Sequence, residues 1–190
     1  MPLRSLALLM SGLALGLAAQ AHDTWFAAQH AGTLALAPGT RFPLGEQGVD
    51  VKFFVKSGCR AADGKPVALA QHRYTEKATL LRLAPAASPQ TCFLQLEPFE
   101  FELPADKIEL YFKEIRPSAA VLAAWAGLKA RGLPFLEKYT KSARIDFGAA
   151  AAATPTGTAM DVLRESPAGA LQVGGEARFQ VLREGRPLAD

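Results

Sequence analysis

Over residues 22–103 the chain repeats one pattern: short runs with apolar side chains at every second position or in a block, each closed by turn residues. Residues 33–37 (Thr-Leu-Ala-Leu-Ala) stop at Pro38-Gly39, a strong turn signal. Val49, Val51, Phe53 and Val55 fall at alternate places in residues 49–56, the spacing of a half-buried strand, which ends at Ser57-Gly58-Cys59. Asp63-Gly64 has hairpin-turn chemistry and leads into residues 67–70 and then 72–74. Residues 79–83 and 92–96 follow, separated by a Pro/Ala/Ser loop. Lone strands cannot bury their faces, so this spacing predicts a mainly β chain folded as an antiparallel sandwich.

The period then changes. Pro104 early and Asp106 in the first turn make residues 102–107 a helix start, and Ile108, Leu110, Tyr111, Phe112 and Ile115 follow at mixed helical spacing. Pro117-Ser118 restarts the count, and Val121, Leu122, Trp125 and Leu128 form an apolar face that stops at Arg131-Gly132. A third short helix is expected from Phe135 to Ser142, which makes about 104–142 a helical insertion, read most simply as a cap over one end of the sandwich. Residues 144–148 read as a returning strand, and the alanine-rich, Thr/Pro/Gly-flanked stretch 149–157 as a linker. Strands over residues 160–163 and 177–182 open a second β module, 158–190, that is expected to be cut off before its return strand.

The start of the chain has a different grammar. Arg4, the apolar residues 6–19 and the small-residue triplet Ala19-Gln20-Ala21 are the three parts of a secretory signal peptide, residues 1–21. The apolar part is shorter than the roughly 20 residues that span a bilayer, so no transmembrane segment is expected after cleavage. A cut after Ala21 leaves His22 first, with its α-amino group and imidazole about one chelate ring apart. A cut before Ala21 leaves an amine, a backbone nitrogen and a second-residue imidazole. Both sets suit a soft or borderline divalent ion such as nickel, cobalt or copper, because a bound metal can deprotonate an amine of pKa near 8. The plainer alternative is that His22 merely opens a strand whose Trp25 points inward.

Removal of residues 1–21 leaves 20 basic and 18 acidic side chains, a balance that offers no argument for nucleic acid or an anionic membrane surface. The two cysteines, Cys59 and Cys92, lack the paired spacing of a thiolate metal site and are expected to form a disulfide in an exported chain. Besides His22 there are two histidines. His30 follows by eight residues, where a tight turn would fold it back, and His72 sits on a strand. With the terminus and His22, one of them would complete an open metal site, and Asp23 would supply a carboxylate or orient the imidazole. No G-x-S-x-G, H-E-x-x-H, phosphate loop or dinucleotide fingerprint occurs, so no catalytic residues are assigned and no enzyme is expected.

The order of features, a leader, a His-Asp-x-Trp start, a sheet, ELPADK (102–107), FLEKYTKSARIDFG (135–148) and GEARFQVLREGRPLAD (175–190), resembles a family of exported bacterial domains of unknown function. That family is grouped with the periplasmic nickel-transport component M (NikM-like) proteins. The resemblance implies an immunoglobulin-like sandwich with a helical excursion and a second β module. It also implies a periplasmic location, a role in nickel or cobalt handling, and an inner-membrane metal transporter component as partner. In the nickel component the metal is held at an exposed amino terminus with histidine second, a pattern that Ala21-His22 matches if cleavage falls before Ala21. Three functions follow in order: a metal-binding or metal-uptake accessory protein, a non-catalytic immunoglobulin-like carrier or interaction module without metal, and a copper oxidase with a histidine brace.

Overall fold

Eight strands carry the larger part of the computed structural model, which describes residues 23–30, 32–84, 87–150, 152–167 and 172–188; the expected signal peptide and His22 lie outside them. One sheet contains β1 (Asp23–Ala28), β2 (Thr33–Gly39), β6 (Thr79–Leu83) and β5 (Leu69–Tyr74), in that spatial order. The other has β10 (Ser142–Asp146), β7 (Thr91–Leu96), β3 (Phe54–Arg60) and β4 (Pro66–Val67). All pairings are antiparallel. In chain order the two sheets read A-B-E-D and G-F-C-C′, the strand arrangement of an immunoglobulin-type sandwich.

The core forms where the two inner faces meet. Phe26, Leu34, Leu36 and Leu81 come from the first sheet, and Cys59, Cys92, Leu94, Leu96 and Ala143 from the second. Leu36, Cys92 and Leu94 have no exposed surface. Cys59 and Cys92 form the expected disulfide, but it does not tie the two sheets together as the antibody-domain bridge does. The two residues are directly opposed on the neighbouring strands β3 and β7.

Residues 49–56 do not form the single strand that their alternation suggests. Val49 is drawn out of a ladder by Thr79, whose hydroxyl accepts from the Val49 amide at 2.9 Å and donates to its carbonyl. Asp50 caps a single 3-10 turn, Val51–Phe53, by accepting from the Lys52 amide at 3.0 Å. The strand proper starts at Phe54, and a bulge between Phe54 and Lys56 leaves Val55 exposed.

The excursion leaves the sandwich after β7 and returns at β10, in the F–G position. It comprises β8 (Phe99–Leu103), α1 (Ile108–Ile115), α2 (Ala119–Ala130) and β9 (Phe135–Tyr139). Ser118 caps α2 by accepting from the Val121 amide, and the chain turns out of it at Gly132, whose φ is +68°. The third helix expected from Phe135 to Ser142 is instead strand β9, followed by the first residue of β10. Phe135, Glu137 and Tyr139 are partly buried while Leu136 and Lys138 are exposed, a period of two that long-range pairing with β8 selects over a short, uncapped helix.

The helices rest on this β8–β9 hairpin through Phe135, which meets the rings of Tyr111, Phe112 and Trp125 edge-on. Tyr111 donates from its hydroxyl to Glu137. Burial pushes the Tyr111 phenol up from its usual value, and the Glu137 carboxylate pushes it further. The folded phenol therefore keeps its proton where an unfolded tyrosine, titrating near about 10, has lost it. Its contribution to stability is complete below about pH 10 and is lost as pH rises toward the folded pKa. Between about pH 9 and about pH 11 the melting temperature of the wild type should fall more steeply than that of Tyr111→Phe. Equal slopes would show that this contact is not made.

Beyond the sandwich, β11 (Met160–Arg164), β12 (Phe179–Arg183) and β13 (Arg186–Pro187) form a three-stranded antiparallel sheet. The return strand for which the sequence appeared to leave no room is thus present as β13, short and joined through Glu184-Gly185. Residues 152–157, expected as part of a linker, and the two that follow are fastened to the outer face of the second sheet. Ala152, Thr156 and Thr158 are buried, and Gln95 accepts from the Ala159 amide at 2.8 Å.

Candidate functional site

Asp23 opens β1 opposite Gly39 and is exposed. It stands on the rim of a groove of about 620 Å³ running between β1, β10 and the third sheet, whose walls include Trp25, Lys141, Arg144 and Phe179. Trp25 does not point into the sandwich core. Its ring meets Phe42 of the loop after β2 edge-on, with centroids 5.8 Å apart. Where β1 and β10 run side by side, the Thr24 and Ser142 hydroxyls and the Trp25 indole N–H are buried without a hydrogen-bond partner among the described residues. Such groups are costly unless something polar meets them, which marks this seam as a place for water or a polar ligand.

Two cations border the groove and differ in character. Arg144 is fully engaged: its Nε donates to Asp146 at 3.0 Å, Nη1 to Asp161 at 2.9 Å, and Nη2 to the Ala152 carbonyl at 2.6 Å. Asp161 in turn accepts from the amide and hydroxyl of Thr156. This is a structural knot that joins the third sheet to β10. Burial pushes the Lys141 ammonium down, while Asp23 pulls it back up. Lys141 also lies over the Tyr139 ring at 5.5 Å, so a half-buried positive charge faces the start of β1.

The proposed metal ligands are not gathered in one place. His30 is exposed in the turn between β1 and β2, and its carbonyl accepts from the Thr33 amide. His72 is exposed on the edge strand β5 opposite Leu81, which lies opposite Leu34, which lies opposite Ala28. Both histidines therefore belong to the Ala28 end of the first sheet. Asp23 is at the other end, five residues and roughly 17 Å away along β1. An extended hairpin keeps its ends apart, so the turn carries His30 away from Asp23 and does not fold it back. Among the described residues no three His, Cys, Asp or Glu side chains form a group able to hold a metal, and both cysteines are in the disulfide. Of the described candidates, Asp23 alone is next to His22 in the chain, and His22 itself falls outside the described residues.

Sequence reasoning missed Arg144, Asp161 and Lys141. The alternation of Phe135, Glu137 and Tyr139 signals a strand there, which with the strand read over residues 144–148 would have put Lys141 in the connection between the two; nothing local signals the pairing of Arg144 with Asp161. Comparison with family models, with curated proteins and with solved structures gave no match.

Proposed function

We propose that this is an exported, periplasmic metal-handling protein that holds a divalent transition ion, nickel, cobalt or copper, at the tip of its mature chain. The ion would be carried as cargo, with an inner-membrane metal transporter component as the recipient. The observation that carries this reading is the position of Asp23: β1 starts there, exposed and on the rim of the groove, immediately after the histidine that leader cleavage would bring to the terminus. An amine, the His22 imidazole and the Asp23 carboxylate then form a compact nitrogen- and oxygen-bearing set that leaves coordination positions open for handover. The disulfide is of the kind that persists in an oxidising compartment.

Titration of the mature protein with nickel, cobalt and copper tests the reading, after amino-terminal sequencing has fixed the first residue. His22→Ala should weaken binding by more than the roughly 10–100-fold that loss of a supporting partner costs. His30→Ala and His72→Ala should leave affinity unchanged, since both side chains belong to the far end of the sheet. Equal affinity in His22→Ala and the wild type would overturn the proposal. It would leave the second reading, an immunoglobulin-like interaction module without metal, which the exposed apolar helix α2 favours.

A further inference from the structure

Helix α2 is apolar all round: ten of its twelve residues are Ala, Val, Leu or Trp, and Lys129 is its sole charge. A helix of this composition is ordinarily enclosed by protein or lipid. Here none of its residues is buried. Trp125 and Leu128 are partly covered, Trp125 by the edge of Phe135, while Val121 and Leu122 remain 44% and 45% exposed. Ile115 before the helix and Leu133 after it extend the exposed apolar surface. An apolar surface on this scale marks an interaction site.

The charges around it select the occupant. From Arg116 to Leu136 the chain carries three cations, Arg116, Lys129 and Arg131, and no acid. The acids of the excursion are placed elsewhere: Glu100 and Glu102 on β8, Asp106 in the turn before α1, Glu109 and Glu114 on α1, and Glu137 on β9. Two copies of this chain meeting through α2 would bring six cations into one interface, with no acid from this segment to match them. An anionic lipid surface supplies the opposite charge together with an apolar layer. At 1.5 Å per residue α2 is about 18 Å long, well short of the roughly 30 Å hydrocarbon core. In keeping with that length, no described helix is long and apolar enough to cross a membrane.

We propose that α2 is a docking helix that lies in the interface of an anionic membrane, with Arg116, Lys129 and Arg131 at the lipid phosphates and Val121, Leu122 and Leu133 in the acyl boundary. Such binding adds apolar burial to charge attraction, with each cation contributing near the surface. The proposal does not depend on metal binding by the terminus.

The test is co-sedimentation of the mature protein with vesicles of phosphatidylcholine alone and of phosphatidylcholine mixed with phosphatidylglycerol. Binding is expected to the mixed vesicles and to weaken strongly between about 0.1 M and about 1 M salt, as the Debye length falls from about 10 Å to about 3 Å. The exposed-site variants Lys129→Glu/Arg131→Glu and Val121→Asp/Leu122→Asp should each weaken binding more than about tenfold while the melting temperature holds. His22→Ala should bind vesicles like the wild type, so failure of the metal reading and failure of this one are distinguishable. Absence of binding to mixed vesicles, or equal binding by wild type and variants, overturns the proposal. So does concentration-dependent dimerisation that Leu122→Asp abolishes in a protein without vesicle affinity, which would assign α2 to a second copy.

Discussion

Replacing Asp161 with alanine is expected to destabilise the protein by about 3–5 kcal/mol, the usual consequence of removing one partner from a buried ion pair. The Asp161 side chain is 2% exposed and that of Arg144 is 9%, so the guanidinium left behind could not turn to water for the lost carboxylate. The loss would extend beyond the pair, since Asp161 also accepts from the amide and hydroxyl of Thr156 and thereby holds the segment that leads into β11. At about 2–4 °C per kcal/mol for a chain of this size, the change is large in a thermal melt. The triple variant Arg144→Met/Asp146→Asn/Asp161→Leu should recover much of the stability, because it removes all three charges of the cluster, keeps apolar volume and leaves an amide oxygen to accept from Thr91. A melt of Asp161→Ala superimposable on that of the wild type would mean that β11 is not docked on β10 in solution.

Removing the disulfide should cost nearly as much. Joining residues 33 apart constrains the unfolded chain by about 3–4 kcal/mol in the chain-entropy treatment. Cys59 and Cys92 also belong to the core, so the Cys59→Ala/Cys92→Ala variant gives up buried sulfur contacts as well. Their position adds a restriction: because they face each other on neighbouring strands, the bond fixes the register of β3 against β7 and does not clamp the two sheets. Denaturant unfolding should show the midpoint of the double variant well below that of the oxidised wild type, with reduced wild type close to the variant. If oxidised and reduced wild type unfold together, the bond does not form in the protein as purified.

How far the sequence could be read depended on the range of the forces that fix each element. β6 and β7 were legible because their apolar blocks stand between turn residues, whereas β2 runs on through Pro38-Gly39, expected to stop it, because β1 pairs with both residues. Helix α2 was legible because Ser118 and Gly132 mark its ends. Residues 49–56 were misread because the hydroxyl of Thr79, thirty residues away, takes both backbone groups of Val49. Phe135–Tyr139 was misread because the residues that make it a strand are those of β8 and the rings of α1 and α2. Among the candidate ligands, the exposed position of Asp23 follows the chain order, whereas the distance from it to His30 and His72 depends on strand pairing.

By itself the sequence determined a mainly β chain with two cysteines to pair, a helical excursion and a leader-like start, because alternation, capping residues and turn chemistry act over a few neighbouring residues. The tertiary structure alone decided that the two histidines lie at the far end of the sheet from Asp23. It also decided that Arg144 and Asp161 lock the third sheet to the second, and that no residue of α2 is buried among the described residues. Those outcomes depend on which distant strands become neighbours, a choice made by burying whole faces together that no short stretch of the chain records.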